Sequence, residues 1–301
     1  MFTKYVYVNG GSGVHKVKAK GILSSENGMN VYRGCTHGCV YCDARSDCYN
    51  MQHDFEDIEV KENAPELLEA AIRAKRRRCV ISSGAMCDPY LPIEAELKIT
   101  RRCLEIIEQY RFGAALLTKS DLIMRDIDLL DSINRSSGAY VQMTLTTADD
   151  ELCRIVEPNV CTTSRRFEVL CEMRERGIPT VIWLCPILPF INDTEENILA
   201  IVDMTKKAGC FGIISFGIGL TLRSGDREYY YQALDRHFPG LKRRYIETYG
   251  SAYELPAQNG ERLWKLLVSE CEKSGIEWRS DVIFHKMRQI KESEQLTLFD
   301  M

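Results

Sequence analysis

The sequence predicts an α/β fold, a partial (β/α)6 TIM-type barrel with a short N-terminal segment before it and a helical C-terminal extension after it. Short apolar runs alternate with amphipathic helical stretches between residues 63 and 217. The chemically pointed residues fall where those apolar runs end, and beyond Leu222 the alternation stops. Strands separated by amphipathic helices imply parallel βαβ units, and about six of them make a partial barrel with its chemistry at the carboxyl ends of the strands. A chain of 301 residues with 45% hydrophobic content can bury one such core.

Residues 1–30 are expected to lead into the barrel. Gly10, Gly11 and Gly13 form a turn, and the alternation over residues 14–20 gives a short strand with one basic face. His15 is assigned to the surface of that strand rather than to a ligand set. The barrel is assigned to residues 31–222. Asn63 and Pro65 open its first helix, whose inward stripe is Leu67, Leu68, Ala71 and Ile72. Strands are predicted over 79–83, 114–118, 140–146, 180–184 and 212–217, with helices over 93–110, 124–133, 164–176 and 195–207. Residues 223–290 form the C-terminal extension, where Tyr229, Tyr230, Tyr231, Arg243, Arg244 and Tyr245 interleave. Such a stripe docks a helix on the barrel rim or stacks bases. Leu263, Leu266 and Leu267 mark a further amphipathic helix, and residues 291–301 are a tail.

Thirteen cysteines scattered through predicted helices and strands argue for a reducing compartment, so a cytoplasmic location is expected. No basic-plus-apolar leader is visible, and the most apolar run, residues 181–191, is too short for a membrane span and carries Pro186 and Pro189. A net charge of −4 and a pI near 5.9 do not advertise a nucleic-acid binder. The local basic clusters at 16–20, 73–78, Arg101 with Arg102, Arg165 with Arg166, and 242–244 read as solvated faces.

The stretch with chemical content is residues 34–42, Gly-Cys-Thr-His-Gly-Cys-Val-Tyr-Cys. Three thiols, Cys35, Cys39 and Cys42, sit in one short loop. A cubane cluster has four irons, so three thiolates leave one iron open to a small molecule. Structural zinc calls for four Cys or His ligands in paired spacings, and neither His37 nor Cys48 completes such a pattern. Cys153, Cys161 and Cys171 are spaced too widely to suggest a second cluster.

The Cys-x3-Cys-x2-Cys spacing, with Tyr41 before the last cysteine, resembles the signature of the radical S-adenosylmethionine (SAM) enzymes. That resemblance implies a [4Fe-4S] cluster on Cys35, Cys39 and Cys42. It also implies S-adenosylmethionine on the free iron, cleavage to a 5′-deoxyadenosyl radical, and a flavodoxin or ferredoxin-type electron donor. Four further stretches, Tyr32-Arg33-Gly34-Cys35, Asp88-Pro89-Tyr90 with Pro92 and Glu94, Leu117-Thr118-Lys119-Ser120, and Leu145-Thr146-Thr147, resemble the spore photoproduct lyase-related enzymes. This resemblance implies that Lys119 meets the carboxylate of S-adenosylmethionine. Tyr41, Ser83, Thr144 and Thr146 are the other expected cofactor contacts. Cys87 lies in the loop where those lyases carry a hydrogen-donating cysteine, shifted by two positions, and is the expected catalytic thiol. Asp43 stands where an aromatic is common, so the substrate is not inherited with the motif.

Gln295-Leu296-Thr297-Leu298-Phe299 in the tail resembles a bacterial sliding-clamp-binding peptide, with Leu298 and Phe299 as apolar anchors and Gln295 at the pocket edge. The sequence therefore points to a radical SAM enzyme of lyase type acting on DNA. Action on RNA, a peptide or a metabolite stays open, as does a non-enzymatic, metal-stabilised binding module.

Overall fold

The structure, a computed structural model, describes residues 5–7 and 13–291. In chain order the strands are β1 (Tyr5–Tyr7), β2 (Gly13–Val17), β3 (Gly28–Met29), β4 (Tyr32–Arg33), β5 (Ile58–Lys61), β6 (Val80–Ser83), β7 (Gly113–Thr118), β8 (Ala139–Thr144), β9 (Thr180–Trp183), β10 (Gly212–Ile214), β11 (Gly219–Thr221) and β12 (Glu254–Pro256). The helices are α1 (Ala64–Ala74), α2 (Glu94–Leu97), α3 (Ile99–Gln109), α4 (Ile127–Ser136), α5 (Asp150–Val156), α6 (Thr163–Glu175), α7 (Glu195–Ala208), α8 (Asp226–His237), α9 (Leu241–Tyr249), α10 (Gly260–Ser274) and α11 (Ser280–Met287).

Six strands form one parallel sheet in the order β10-β9-β8-β7-β6-β3, the partial barrel that the sequence predicts. β8 is buried along its whole length, as a strand covered on both faces must be. Three short strands depart from the expected boundary at residue 30. β3, within the predicted lead-in segment, is the edge strand of the large sheet. β4 and β5, within the predicted barrel, instead join the N-terminal strands in a four-stranded sheet of order β1-β2-β5-β4. His15 on β2 is buried against Asp57 rather than exposed, because the loop before β5 brings Asp57 and the His53 ring against it.

The predicted helix over 93–110 breaks at Lys98, which takes a positive φ of 51°. The cause is Glu94: its buried carboxylate accepts the N–H groups of Ile99 and Thr100 at 2.9 and 3.1 Å and so caps a new helix, α3. Arg125 neutralises it at 2.7 Å, and the Tyr32 hydroxyl donates to it. Arg166, read from sequence as part of a solvated basic pair, is fully buried. α5 was not anticipated.

In the C-terminal extension the aromatic stripe packs inward. The Tyr230 and Tyr245 hydroxyls lie 2.9 Å apart, and Tyr245 donates to the Pro189 carbonyl on the barrel rim. β11 and β12 pair antiparallel beside the ends of the barrel strands. The tail positions Gln295, Leu296, Leu298 and Phe299 lie outside the described residues. No helix among the described residues is long and apolar enough to cross a membrane.

At the start of α8, Asp226 accepts the Arg223 N–H at 2.6 Å, yet its second oxygen is buried without a partner among the described residues. Burial, with Asp43 adding to it, raises this carboxyl from 3.8 to about 6. The folded protein therefore keeps a proton that the unfolded chain releases, so this contribution to stability is present below pH 3.8 and lost as pH rises through 6. Asp226→Asn is expected to gain stability relative to the parent as pH increases across that window. Urea unfolding at several pH values reads the difference, and a difference independent of pH would contradict the assignment.

Candidate functional site

The cluster loop depends on a backbone that few residues allow. Gly34 has φ of 85°, and a Cβ there would stand 2.6 Å from the Phe55 carbonyl and 3.0 Å from that of Asp57. The same Phe55 carbonyl accepts the N–H of Cys35 at 2.8 Å. From the opposite side, the Val156 carbonyl receives Val40 N–H at 2.9 Å, and Asn159 donates its side-chain amide to Thr36 at 2.9 Å. Distant segments thus hold both flanks of the loop.

Cys35, Cys39 and Cys42 line one end of a cavity of about 630 Å³. The walls come from the carboxyl ends of the barrel strands. Residues 84–88 follow β6, Thr118 and Lys119 close β7, Thr144 closes β8, Trp183 closes β9, and Phe216 follows β10. Tyr41, Lys119, Thr144 and Cys87 are therefore brought together with the three thiols. Ser83 and Thr146 are not. The hydroxyls of both are buried without hydrogen-bond partners among the described residues, and neither lines the cavity. The loop after β6, not the strand itself, reaches the site, while Asn192 and Asn197 hold the Thr146 carbonyl at 2.8 and 2.9 Å behind it.

Charge is arranged in layers. Glu157 and Arg166, both inaccessible to solvent, pair at 2.6 Å, and the Tyr41 hydroxyl donates to Glu157. Burial alone would raise the Glu157 carboxyl, but Arg166 and then Lys119 hold it below the usual carboxylate range. Arg166 also donates to the Thr144 carbonyl at 2.8 Å, tying the loop aromatic to the end of β8. Sequence reasoning missed this pair; the only trace was an arginine in the first turn of a helix and a glutamate in a loop.

Asp88 organises the next layer. Its carboxylate accepts Thr118 Oγ1 at 2.7 Å, Lys119 N–H at 2.8 Å and Tyr90 N–H at 2.9 Å, and it stands 3.4 Å from His37 Nδ1. Burial lowers His37 and keeps it neutral at pH 7. Lys119 Nζ lies 5.9 Å from the centre of the Tyr41 ring. Burial alone would lower the Lys119 ammonium, but Cys39, Glu157, Cys42 and Asp88 outweigh it and hold the amine charged. Cys87 is buried, its thiol donates to the Gly34 carbonyl at 2.8 Å, and burial pushes it far toward the protonated form.

The thiols fit a polynuclear cluster better than a single ion. Burial raises Cys35, Cys39 and Cys42 above the ordinary thiol range, Cys39 to about 12, so metal is needed to hold them as thiolates. Among the described residues they do not form a group whose donor atoms all fall within 4.8 Å, the spacing one shared ion would require.

A family model described as the Radical SAM superfamily matches residues 29–204. The chain belongs to the radical SAM superfamily. As a radical SAM enzyme it uses a [4Fe-4S] cluster and S-adenosylmethionine. An uncharacterized protein of Methanocaldococcus jannaschii is 32% identical over 223 residues, covering 73% of this chain and 77% of the relative. Another, from Mycobacterium tuberculosis, is 29% identical over 258 residues, 84% of this chain and 75% of that protein. The Radical SAM Nalpha-GlyT isomerase of Pseudomonas phage M6 is 26% identical over 157 residues, 52% of this chain and 32% of the isomerase. In fold, the chain resembles spore photoproduct lyase complexed with dinucleoside spore photoproduct, with a TM-score of 0.62 at 11% identity over 88% of this chain and 81% of the lyase.

The buried pair yields a prediction for this radical SAM core. Glu157→Met or Arg166→Met alone leaves one buried charge uncompensated and is expected to cost about 3–5 kcal/mol. The double replacement Glu157→Met with Arg166→Met should cost clearly less than the sum. Denaturant unfolding of the four proteins measures the coupling; additive losses would contradict it.

Proposed function

We propose that this radical SAM enzyme acts on DNA, in a lyase-like reaction that reverses or remodels a damaged base drawn out of the duplex. The observation that carries the reading is the rim of the cavity. Phe216 is 68% exposed there, Tyr253 44% and Met86 40%, and Trp183 meets Phe216 edge-on at 5.8 Å. Exposed aromatics around a deep site suit a planar base. The solved spore photoproduct lyase with a dinucleoside bound adds support for a nucleic-acid substrate.

Cys35, Cys39 and Cys42 would hold the [4Fe-4S] cluster, leaving one iron for S-adenosylmethionine. When bound, the two cofactors supply a 5′-deoxyadenosyl radical that abstracts hydrogen from substrate. Lys119, kept cationic inside the cavity, receives the methionine carboxylate as a point charge. Tyr41 and Thr144 complete the cofactor wall. Cys87 keeps its S–H hydrogen because burial opposes ionisation, and that hydrogen is available to a product radical. Gln295, Leu296, Leu298 and Phe299 would tether the enzyme to a bacterial sliding clamp, raising the local DNA concentration for a chain of net charge −4. A flavodoxin or ferredoxin-type protein in a reducing cytoplasm would supply the electron.

Cys35→Ala, Cys39→Ala or Cys42→Ala should abolish 5′-deoxyadenosine formation by anaerobic, dithionite-reduced enzyme. Lys119→Met should weaken S-adenosylmethionine binding roughly 10- to 100-fold, the value of one charge-assisted hydrogen bond. Cys87→Ala should still form 5′-deoxyadenosine but divert the DNA product. Assays with ultraviolet-damaged oligonucleotides, RNA and peptides separate the substrate classes; turnover on RNA or peptide with none on DNA would overturn the DNA assignment. Deleting residues 295–301 should abolish clamp binding, and binding that is unchanged or never detected would remove the tether.

A further inference from the structure

A second cluster of metal-type donors lies in the N-terminal sheet, outside the cavity. His15 on β2 and Glu59 on β5 are register partners in a parallel pair. The loop before β5 adds His53 and Asp57. His15 Nδ1 is 3.0 Å from Asp57 Oδ1, and the His15 and His53 rings meet edge-on with centroids 4.7 Å apart. One donor atom from each of His15, His53 and Asp57 falls within 4.8 Å of the others. The four side chains are only 10–19% exposed.

The tautomer of His53 follows from its neighbours. Its Nδ1 lies 3.0 Å from the Asp54 carbonyl, which can only accept, so Nδ1 carries the proton. In the neutral ring, Nε2 then presents a lone pair. Among the described residues that Nε2 is buried with no hydrogen-bond partner, and the Glu59 carboxylate, itself an acceptor, stands 3.9 Å away. Two facing acceptors are unfavourable unless a donor or a cation joins them. A ring nitrogen fixed by a backbone carbonyl, with the other nitrogen left bare, is the arrangement of a metal-ligating histidine. Gly13 completes the cradle, since a side chain there would stand 2.6 Å from Asp57 Oδ1.

We propose that His15, His53, Asp57 and Glu59 bind one divalent transition-metal ion, at a site distinct from the three-thiol loop. Two imidazoles and two carboxylates suit Zn²⁺, Fe²⁺ or Mn²⁺. The ion fastens the loop before β5 to the N-terminal sheet. That loop carries the Phe55 carbonyl that receives Cys35 N–H, so the ion stiffens the anchor of the first cluster thiol.

The test uses the cluster-loaded enzyme, whose three loop cysteines are already occupied, under anaerobic calorimetric titration with Zn²⁺. One equivalent should bind. His53→Gln and Asp57→Asn should each weaken it at least tenfold, with iron content and cluster absorbance unchanged. If His53→Gln fails to fold, Glu59→Gln replaces it, and a Zn²⁺-dependent rise in Tm that is present in the parent and absent in Glu59→Gln gives the same reading. No saturable binding by the parent enzyme, or equal affinity in all variants, would overturn the proposal. Because the readout is metal bound rather than substrate turned over, it stands apart from the DNA assignment.

Discussion

A solvent-free ion pair between Glu157 and Arg166 is the constraint on which the rest of the site depends. Burying both charges is costly, and their attraction offsets that cost only when every remaining donor and acceptor is engaged. Here Tyr41 engages one oxygen of Glu157, and Arg166 reaches the Thr144 carbonyl and the Cys153 sulfur. Most of that requirement is met, with Arg166 Nε the one donor of the pair left without a partner among the described residues. The pair thereby links three segments that are distant in sequence: the thiol loop, the end of β8, and the turn after α5. Releasing any one of them would leave a charge stranded in the interior.

The same pair sets the field in the cavity. Glu157 stays anionic because Arg166 stabilises it, and its charge helps keep Lys119 protonated despite burial. Asp88 contributes from the other wall while fixing the Lys119 backbone through its N–H. A cation held this way is ready to receive an anionic ligand without reorganisation. Neutral His37, although it lies inside the thiol loop, adds no competing positive charge.

What could be read in the sequence was what depends on short range. The alternation of apolar runs and amphipathic helices located the parallel strands because each repeats with its own period, and the three thiols stood out because they sit within one short loop. Lys119 and Thr144 were found at strand ends for the same reason. Glu157 with Arg166 was invisible: the residues lie nine positions apart on different elements, and an arginine beside another arginine looks like a solvated face. The break at Lys98 was hidden because Glu94 acts by folding its side chain onto the next helix, which no periodicity records. His15 was misassigned because Asp57, the side chain it packs against, arrives 42 residues later. Ser83 and Thr146 show the opposite failure, since a hydroxyl near a strand end is suggestive whether or not the loop lets it face the cavity.

Interleaving of the two sheets accounts for how so short a loop can present three thiols in fixed positions. A nine-residue segment has too few internal contacts to offset the entropy of ordering it. The chain solves this by passing through the N-terminal sheet immediately before the loop, at β4, and returning to it at β5, so that the Phe55 carbonyl just ahead of β5 and the Gly34 backbone press together on one flank. On the other flank the end of α5 supplies the Val156 carbonyl, and the turn beyond it supplies Asn159. The parallel sheet alone could not do this, because its strands end at the cavity and leave the outer side of the loop uncovered. A small sheet whose strands are threaded around the cluster loop therefore follows from the need to order that loop, rather than being an appendage to the barrel.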